Sequence, residues 1–106
     1  MIYEIRHYVA RPGRRDDLAR YMDETVIPHM TSHGMTVVGS YRDLEKDDTY
    51  VWIRGFNNQE HRAASLEAAY GAPVWTEQMR PAVQELMDST LAHVDVVSPT
   101  GDATIS

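Results

Sequence analysis

The chain has 106 residues, which is enough for one domain but too short for two separate hydrophobic cores. Its hydrophobic content of 42% and charged content of 25% are ordinary values for a globular protein. The net charge is −6 and the basic residues are scattered, which argues against binding to nucleic acid. No stretch is long and apolar enough to cross a membrane, and the absence of cysteine excludes disulfides and thiolate sites. These features predict a cytoplasmic protein.

The first third of the chain carries a strand signal followed by a helix signal. Residues 2–10 are rich in Ile, Tyr and Val and predict a strand, after which residues 11–13, Arg-Pro-Gly, predict a turn. Apolar residues with helical spacing follow over 18–29. Pro28 falls inside this pattern and is expected to kink or break the helix just before it, and Gly34 is expected to cap its end.

The middle of the chain predicts a hairpin and a second helix. Residues 35–42 and 49–56 have strand composition and are joined by a short charged loop. Asn57, with Glu60 three residues later, resembles a capping box. This pattern predicts a helix over 58–69.

The last third of the chain completes the fold. A helix is predicted over 74–89, divided by Pro81, and a final strand is predicted over 91–97. We therefore expect one domain over 1–97 and a flexible tail over 98–106. The element order is β-α-β-β-α-β, which predicts an α+β, ferredoxin-like fold with antiparallel edges to its four-stranded sheet. The first and third strands are expected to be central, adjacent and parallel, with both helices on one face.

Alternation along the strands divides the side chains between the two faces of the sheet. The more aliphatic set is assigned to the helix-covered face: Tyr3, Ile5, His7, Val9, Val51, Ile53, Gly55, Ala92, Val94 and Val96. The open face is then expected to carry Glu4, Arg6, Tyr8, Trp52, Arg54, Phe56, His93 and Asp95. Large aromatic side chains are rarely exposed together on a monomer. We therefore expect a second copy of the chain to cover this face and form a homodimer.

Two arginines on the central strands need anionic partners. Arg6 and Arg54 are expected on the same face of adjacent strands, where two guanidinium groups are close and partly desolvated. One interpretation is an ion-pair network with Glu4 or Asp95. The other is a ligand whose carboxylate is held bidentately by one of the arginines.

Histidine supplies the candidate catalytic groups. His7 is expected in the space between sheet and helices, where a neutral imidazole could act as a general acid or base with help from Tyr8 or His29. The candidate substrate-binding residues are Arg6, Trp52, Arg54, Phe56, Trp75 and His33. Because His7 and Arg6 point to opposite faces, a helix-side pocket with His7, His29 and His33 is preferred, and the arginines are then structural. No metal site is expected, and haem binding through His29 or His33 is an alternative.

Several short segments, taken in order, resemble the NIPSNAP family. They are Tyr3-Glu4-Ile5-Arg6-His7-Tyr8, Arg11-Pro12-Gly13, Ile27-Pro28-His29, Ser32-His33-Gly34, Val38-Gly39, Tyr50-Val51-Trp52-Ile53, Glu60-His61-Arg62-Ala63, Pro73-Val74-Trp75 and Pro81. The resemblance covers residues 2–90 and implies a dimeric α/β barrel, in which two ferredoxin-like chains form one barrel. Relatives in that superfamily include cofactor-free monooxygenases, small lactone isomerases, haem-degrading enzymes and dehydratases.

Together these features predict a small-molecule enzyme that needs no bound cofactor. The expected chemistry is isomerisation, cyclisation, dehydration or oxygenation of an organic metabolite, of a carboxylate-bearing or polyketide-like class. His7 would transfer the proton, and Arg6 or Arg54 would orient a carboxylate or enolate oxygen. The alternatives are a non-catalytic ligand-binding or interaction dimer and a haem-binding protein.

Overall fold

The computed structural model describes residues 1–101 and contains the predicted elements in the predicted order. The strands are β1 (Ile2–Ala10), β2 (Thr36–Arg42), β3 (Thr49–Phe56) and β4 (Met87–Val97). The helices are α1 (Arg15–Tyr21), α2 (Ile27–Ser32), α3 (Gln59–Gly71) and α4 (Arg80–Leu86), with π-helical turns at Met22–Val26 and Trp75–Met79. The ferredoxin-like α+β architecture is therefore confirmed.

The four strands form one sheet in the order β2-β3-β1-β4, and every neighbouring pair is antiparallel. The prediction that the first and third strands are parallel is wrong. The first helical crossover makes β1 parallel to β2, and the second makes β3 parallel to β4. The β2–β3 hairpin reverses the chain direction between these two pairs, so β1 and β3 are antiparallel. The register consequently pairs Glu4 with Arg54 and Arg6 with Trp52.

The helices cover the face that carries the charged and aromatic side chains. Glu4, Trp52, Arg54 and Phe56 are all buried on this face, together with Tyr8. The predicted assignment of these strands is wrong, because it took the more aliphatic set as the buried one. Bulky aromatic rings and an ion-paired carboxylate fill the layer between sheet and helices, and the smaller aliphatic side chains line the open face. For β4 the predicted assignment agrees with the register.

Pro28 and Pro81 both lie within continuous helical segments. Of the kink or break predicted before Pro28, the break does not occur, since the chain stays helical from α1 through the first π turn into α2. A proline has no amide hydrogen and its ring clashes with the carbonyl four residues earlier. The π turn ahead of it avoids this clash by widening the helix, and the Ile27 amide bonds to Met22 instead. The same device precedes Pro81, where the Arg80 amide donates to Trp75.

The helix ends follow their capping residues. Gly34 adopts φ +89° immediately after α2, as predicted for a C-terminal cap. The N-cap of α3 is Asn58, one residue later than predicted, and its side chain accepts from the His61 amide at 2.8 Å. His61 reciprocates, because its Nδ1 accepts from the Asn57 amide at 2.9 Å. His61 therefore performs the reciprocal role that the capping box assigned to Glu60.

The C-terminal elements differ from the prediction in their boundaries. The last helix ends at Leu86, and β4 begins at Met87 rather than at residue 91. A register shift in the β1–β4 ladder accommodates this longer strand. Residues 102–106 of the predicted tail lie outside the described residues. Within residues 1–101, no helix has the length and apolar character needed to span a membrane.

Candidate functional site

One carboxylate beneath the helices contacts three arginines. Glu4 Oε1 accepts from Arg6 Nη1 at 2.6 Å and from Arg54 Nε at 2.9 Å. Its other oxygen accepts from Arg62 Nε on α3 at 2.8 Å. These four residues are called the arginine cluster below. Within residues 1–101, no other carboxylate lies within salt-bridge distance of these three arginines, so the cluster has two uncompensated positive charges.

The electrostatics of the cluster follow from its burial. Glu4 and Arg54 side chains are each 1% exposed, whereas Arg6 and Arg62 are 19% and 26% exposed. Burial alone would raise the pKa of Glu4, but the three guanidinium groups outweigh it and lower this pKa below its ordinary value of 4.5. Burial opposes the charge on Arg6, yet Tyr8, Tyr70 and Glu4 nearby raise its pKa. Glu4 and Arg6 therefore remain ionised at neutral pH.

Arg54 lies in a cage of aromatic rings and methionine sulfur atoms. Its Cζ atom is 5.1 Å from the Trp52 ring centroid, 5.4 Å from that of Tyr70 and 5.8 Å from that of Phe56. The sulfur atoms of Met30 and Met35 are each 3.6 Å from Nη1. The ring faces replace part of the lost hydration of the buried cation. Arg54 therefore has the environment of a structural residue.

Arg6 and Arg62 lie at an open edge of the helix-covered face. Val94 and Val96 pair with Arg6 and Glu4 across the β1–β4 ladder and therefore share this face. They are 36% and 48% exposed, so no helix shields this part of β4 from solvent. The result is a shallow shelf, defined by Arg6, Arg62, Val94 and Val96. It offers positive charge beside an apolar surface.

Further polar groups lie near Arg6 in the buried layer. The indole Nε1 of Trp52 is buried and has no hydrogen-bond partner among the described residues. The Tyr8 hydroxyl accepts from Arg6 Nε at 3.0 Å and retains its own proton as a donor. Burial raises the pKa of Tyr70, so this phenol also stays protonated. An unpaired buried N–H beside surplus positive charge is an arrangement that suits an oxyanion.

His7 does not lie in this region. Its side chain points to the open face of the sheet, where its Nε2 atom is 3.6 Å from Asp95 Oδ2 and its ring is 5.6 Å from that of His93. The expectation that His7 faces the helices is therefore wrong, because the face assignment of β1 was reversed. His7 and Tyr8, predicted to cooperate, lie on opposite faces.

The other predicted histidines form a separate group near the end of α3. The His29 ring stacks on Trp75 at 6.4 Å and meets His33 edge-on at 4.8 Å. Its Nε2–H donates to the Ala69 carbonyl oxygen at 2.8 Å. Trp75 also packs edge-on against Tyr70, with ring centroids 4.9 Å apart. The structure thus joins His29, His33 and Trp75 to each other, but not to His7.

Sequence reasoning missed two members of the site on α3. Arg62 reaches Glu4, and Tyr70 lies against Arg54. Arg62, Leu66 and Tyr70 recur every four residues, so they share one face of the helix. That spacing is visible in the sequence. It predicts a buried helix face only when the face of the sheet that packs against the helix is known.

Neither a metal site nor the surface cavity next to the Arg-Pro-Gly turn coincides with the cluster within residues 1–101. Within residues 1–101, no group of three His, Asp or Glu residues has the arrangement of a metal site. A surface cavity of about 690 Å³ lies elsewhere, next to the Arg-Pro-Gly turn. Its wall includes Asp47 and Asp48. Two of its arginines are occupied by backbone carbonyls: Arg11 binds Gln84, and Arg15 binds Asp43, Lys46 and Thr49.

The topology and the buried cluster define a ferredoxin-like α+β protein with an arginine-rich layer between its sheet and helices. The chain belongs to the NIPSNAP family, whose family model matches residues 3–100. No curated protein gives a significant match to this sequence.

Several solved structures share the fold. An uncharacterized NIPSNAP domain protein from Burkholderia xenovorans is 16% identical, with a TM-score of 0.86 and coverage of 99% of this chain and 100% of that one. A NIPSNAP family protein with unknown function from Agrobacterium tumefaciens is 23% identical, with a TM-score of 0.82 and coverage of 93% and 87%. An antibiotic biosynthesis monooxygenase is 13% identical, with a TM-score of 0.70 and coverage of 95% and 100%. The fold is thus related to monooxygenase-type ferredoxin-like folds.

Proposed function

We propose that this protein binds a small organic anion at the shelf beside the arginine cluster and stabilises negative charge on its oxygen. The ligand would place a carboxylate or enolate oxygen near Arg6 and lay an apolar body over Val94 and Val96. This ligand class matches the predicted carboxylate-bearing or polyketide-like metabolite.

The observation that carries the proposal is the charge imbalance around Glu4. Three guanidinium groups share one carboxylate in a mostly buried layer, while the whole chain carries a net charge of −6. Buried positive charge without a counterion is costly, so an arrangement of this kind favours an anionic partner.

Such a site suits cofactor-independent chemistry that passes through an enolate. Fixed donors lower the free energy of negative charge that develops on oxygen, and they do so best where water is scarce. The enolate so stabilised could isomerise, cyclise, lose a leaving group or react with oxygen. The structural likeness to an antibiotic biosynthesis monooxygenase supports the last of these, at the level of the fold.

A second candidate is a protein that binds the anion without converting it. It is favoured by the position of His7, which leaves the arginine cluster without the imidazole base that was predicted for it. His29 lies in the separate group with His33 and Trp75, where its Nε2–H donates to the Ala69 carbonyl, so it does not supply this base either. Haem ligation by His29 would require that hydrogen bond to break. A cytoplasmic location stays a prediction based on the cysteine-free sequence.

We further propose that two copies pack through their open sheet faces. Half-buried Ile5, Val9, Val51 and Ile53 form an apolar centre on this face. The face measures roughly 19 by 26 Å from strand spacing and rise. With side-chain relief, its area is of the order of the ~800 Å² per partner that stable interfaces bury. A sheet face is self-complementary about a twofold axis, so a second copy is the natural partner.

Benzoate, with benzamide as its neutral isostere, tests anion binding. Benzoate is expected to raise the melting temperature, because a ligand at 100 times its Kd stabilises the folded state by about 2.7 kcal/mol. Benzamide is expected to leave the melting temperature of the wild type unchanged. Benzoate is expected to leave that of Arg6→Met unchanged. Arg20→Met removes an exposed arginine from α1 and should keep the benzoate response. An equal shift with benzamide, or an unchanged shift in Arg6→Met, would disprove the proposal.

A further inference from the structure

The open face of the sheet carries a polar cluster of its own. His7 on β1 and His93 on β4 are direct cross-strand partners, with ring centroids 5.6 Å apart. Asp95 lies on the same face, opposite Ile5. Because successive side chains alternate, Arg6 points to the other face. The sheet itself therefore separates these three residues, the histidine cluster, from the arginine cluster.

The Asp95 carboxylate lies beside both imidazole rings and shares a hydrogen bond with His93. His93 Nε2 lies 2.8 Å from Asp95 Oδ1, and His7 Nε2 lies 3.6 Å from Oδ2, within ion-pair range. A carboxylate only accepts hydrogen bonds, so the Nε2 atom of His93 carries the proton. In the neutral ring this leaves the Nδ1 lone pair available to take another proton. A carboxylate that fixes the tautomer of an imidazole is the usual support for a general base.

The histidine cluster is partly exposed, with 36% of the His7, 47% of the Asp95 and 66% of the His93 side chain accessible to solvent, but its strand neighbours are apolar. The neighbouring side chains on β1 and β3 are aliphatic: Ile5, Val9, Val51 and Ile53. The other titratable groups on this face of the described strands are Tyr3, Tyr41 and Asp88, and no lysine or arginine of these strands points here. A ligand at this face would therefore be an uncharged compound with an apolar body and a polar group that meets the imidazoles.

We propose that His7, Asp95 and His93 form an acid–base site that enolises an apolar ketone. One imidazole takes a proton from the carbon next to the carbonyl, and the electron pair of that C–H bond forms a carbon–carbon double bond. The carbonyl π electrons move to oxygen, which receives a proton from the other, protonated imidazole. The pair thus exchanges its roles, and no oxidant, reductant or further reactant is needed.

The cross-strand position of the rings suits this exchange. Two imidazoles side by side can reach neighbouring atoms of one ligand, the α carbon and the carbonyl oxygen. Asp95 stabilises whichever ring holds the positive charge at a given stage. This activity goes beyond anion binding and uses different residues on the opposite face of the sheet. Because the proposed dimer packs through this same face, the ketone would lie between the two sheets.

Exchange of the α hydrogens of acetophenone in D₂O, followed by mass spectrometry, tests the site. Replacement of either imidazole, in His7→Gln or His93→Gln, is expected to slow exchange about 100-fold, since general acid–base groups contribute at least that much. Asp95→Asn is expected to slow it less and to displace the pH–rate profile. Tyr41→Phe and Asp88→Asn remove the other titratable groups nearby and should keep the wild-type rate.

Three outcomes would overturn the inference. They are a wild-type rate no greater than that of free imidazole at equal concentration, an unchanged rate in both glutamine variants, and loss of the rate on addition of EDTA. Benzoate stabilisation, measured on the same variants, reports separately on the arginine cluster. Loss of exchange with retained benzoate binding supports the site, whereas a failure of benzoate binding in the wild type concerns only the proposed anion-binding function.

Discussion

At the scale of single residues, Glu4 is the side chain on which the buried layer depends. Among residues 1–101 it is the one carboxylate that contacts Arg6, Arg54 and Arg62, and it joins β1 to both β3 and α3. Its pKa is lowered below 4.5, so the free energy that it contributes to folding is complete above that pH. The contribution declines as the pH falls through the folded-state pKa and Glu4 becomes protonated.

Replacement of Glu4 by glutamine should therefore have a pH-dependent cost. Glu4→Gln leaves three buried or half-buried guanidinium groups without a counterion, and breaking such a network costs about 3–5 kcal/mol at pH 7. The difference from the wild type should shrink as the pH falls below 4.5, because Glu4 then binds a proton in the unfolded chain more readily than in the folded protein, which destabilises the wild type alone. Urea unfolding from pH 7 to pH 3 measures both values.

Glu67→Gln provides the matched control for that comparison. Glu67 lies exposed on α3, so its replacement should change the free energy of unfolding by no more than about 0.5 kcal/mol at any pH. A Glu4→Gln deficit that is equally large at pH 3 and pH 7 would contradict the charge-based explanation.

At the scale of elements, sequence patterns identified every strand and helix but not how they face each other. The Gly34 cap and the 49–56 strand were predictable because turn chemistry and alternation are local signals. The burial of Glu4 and Arg54 was not, since neither residue resembles a core position unless its partner is known. Because the predicted face assignment of β1 was wrong, His7 was placed in a pocket that it does not line. For the same reason, Arg62 was not recognised as a partner of Glu4.

The glycines allow the local part of this argument to be tested. Gly34 has φ +89°, and an added Cβ would lie 3.2 Å from His61 Nε2, so Gly34→Ala meets both strain and crowding. Gly13 has φ +74° with open space around it, so Gly13→Ala meets strain alone. We expect losses of about 1–2 kcal/mol at Gly34 and about 1 kcal/mol at Gly13, measured by urea unfolding.

Gly71 is the control for these substitutions. It ends α3 without a positive φ and with no atom near an added Cβ, so Gly71→Ala should be neutral or stabilising by up to about 1 kcal/mol. Equal losses at all three positions would mean that backbone conformation does not decide the effect.

At the scale of the whole molecule, the two faces of the sheet have opposite requirements. The helix-covered face satisfies its charges internally, except for the surplus on the arginines, and thus needs only a small anion. The open face has half-buried aliphatic side chains at its centre, including Ile5 and Ile53, and no element of the described chain covers it. The prediction of a dimer was based on the wrong side chains, Trp52 and Phe56, but the exposed aliphatic face leads to the same proposal.

Ile53→Lys is the substitution that tests this dimer most directly. The lysine would place a charge at the centre of the open face, where an opposing copy could not hydrate it, and an unpaired buried charge costs several kcal/mol per copy. In a single chain the same side chain would extend into water, so the fold should persist. We expect a dimeric wild type and a monomeric Ile53→Lys by sedimentation velocity, with similar circular dichroism spectra.

Ala64→Lys, on the exposed side of α3, should remain dimeric. A wild type that stays monomeric at all concentrations, or a dimeric Ile53→Lys, would exclude the open face as the interface, and the histidine cluster would then work exposed to solvent.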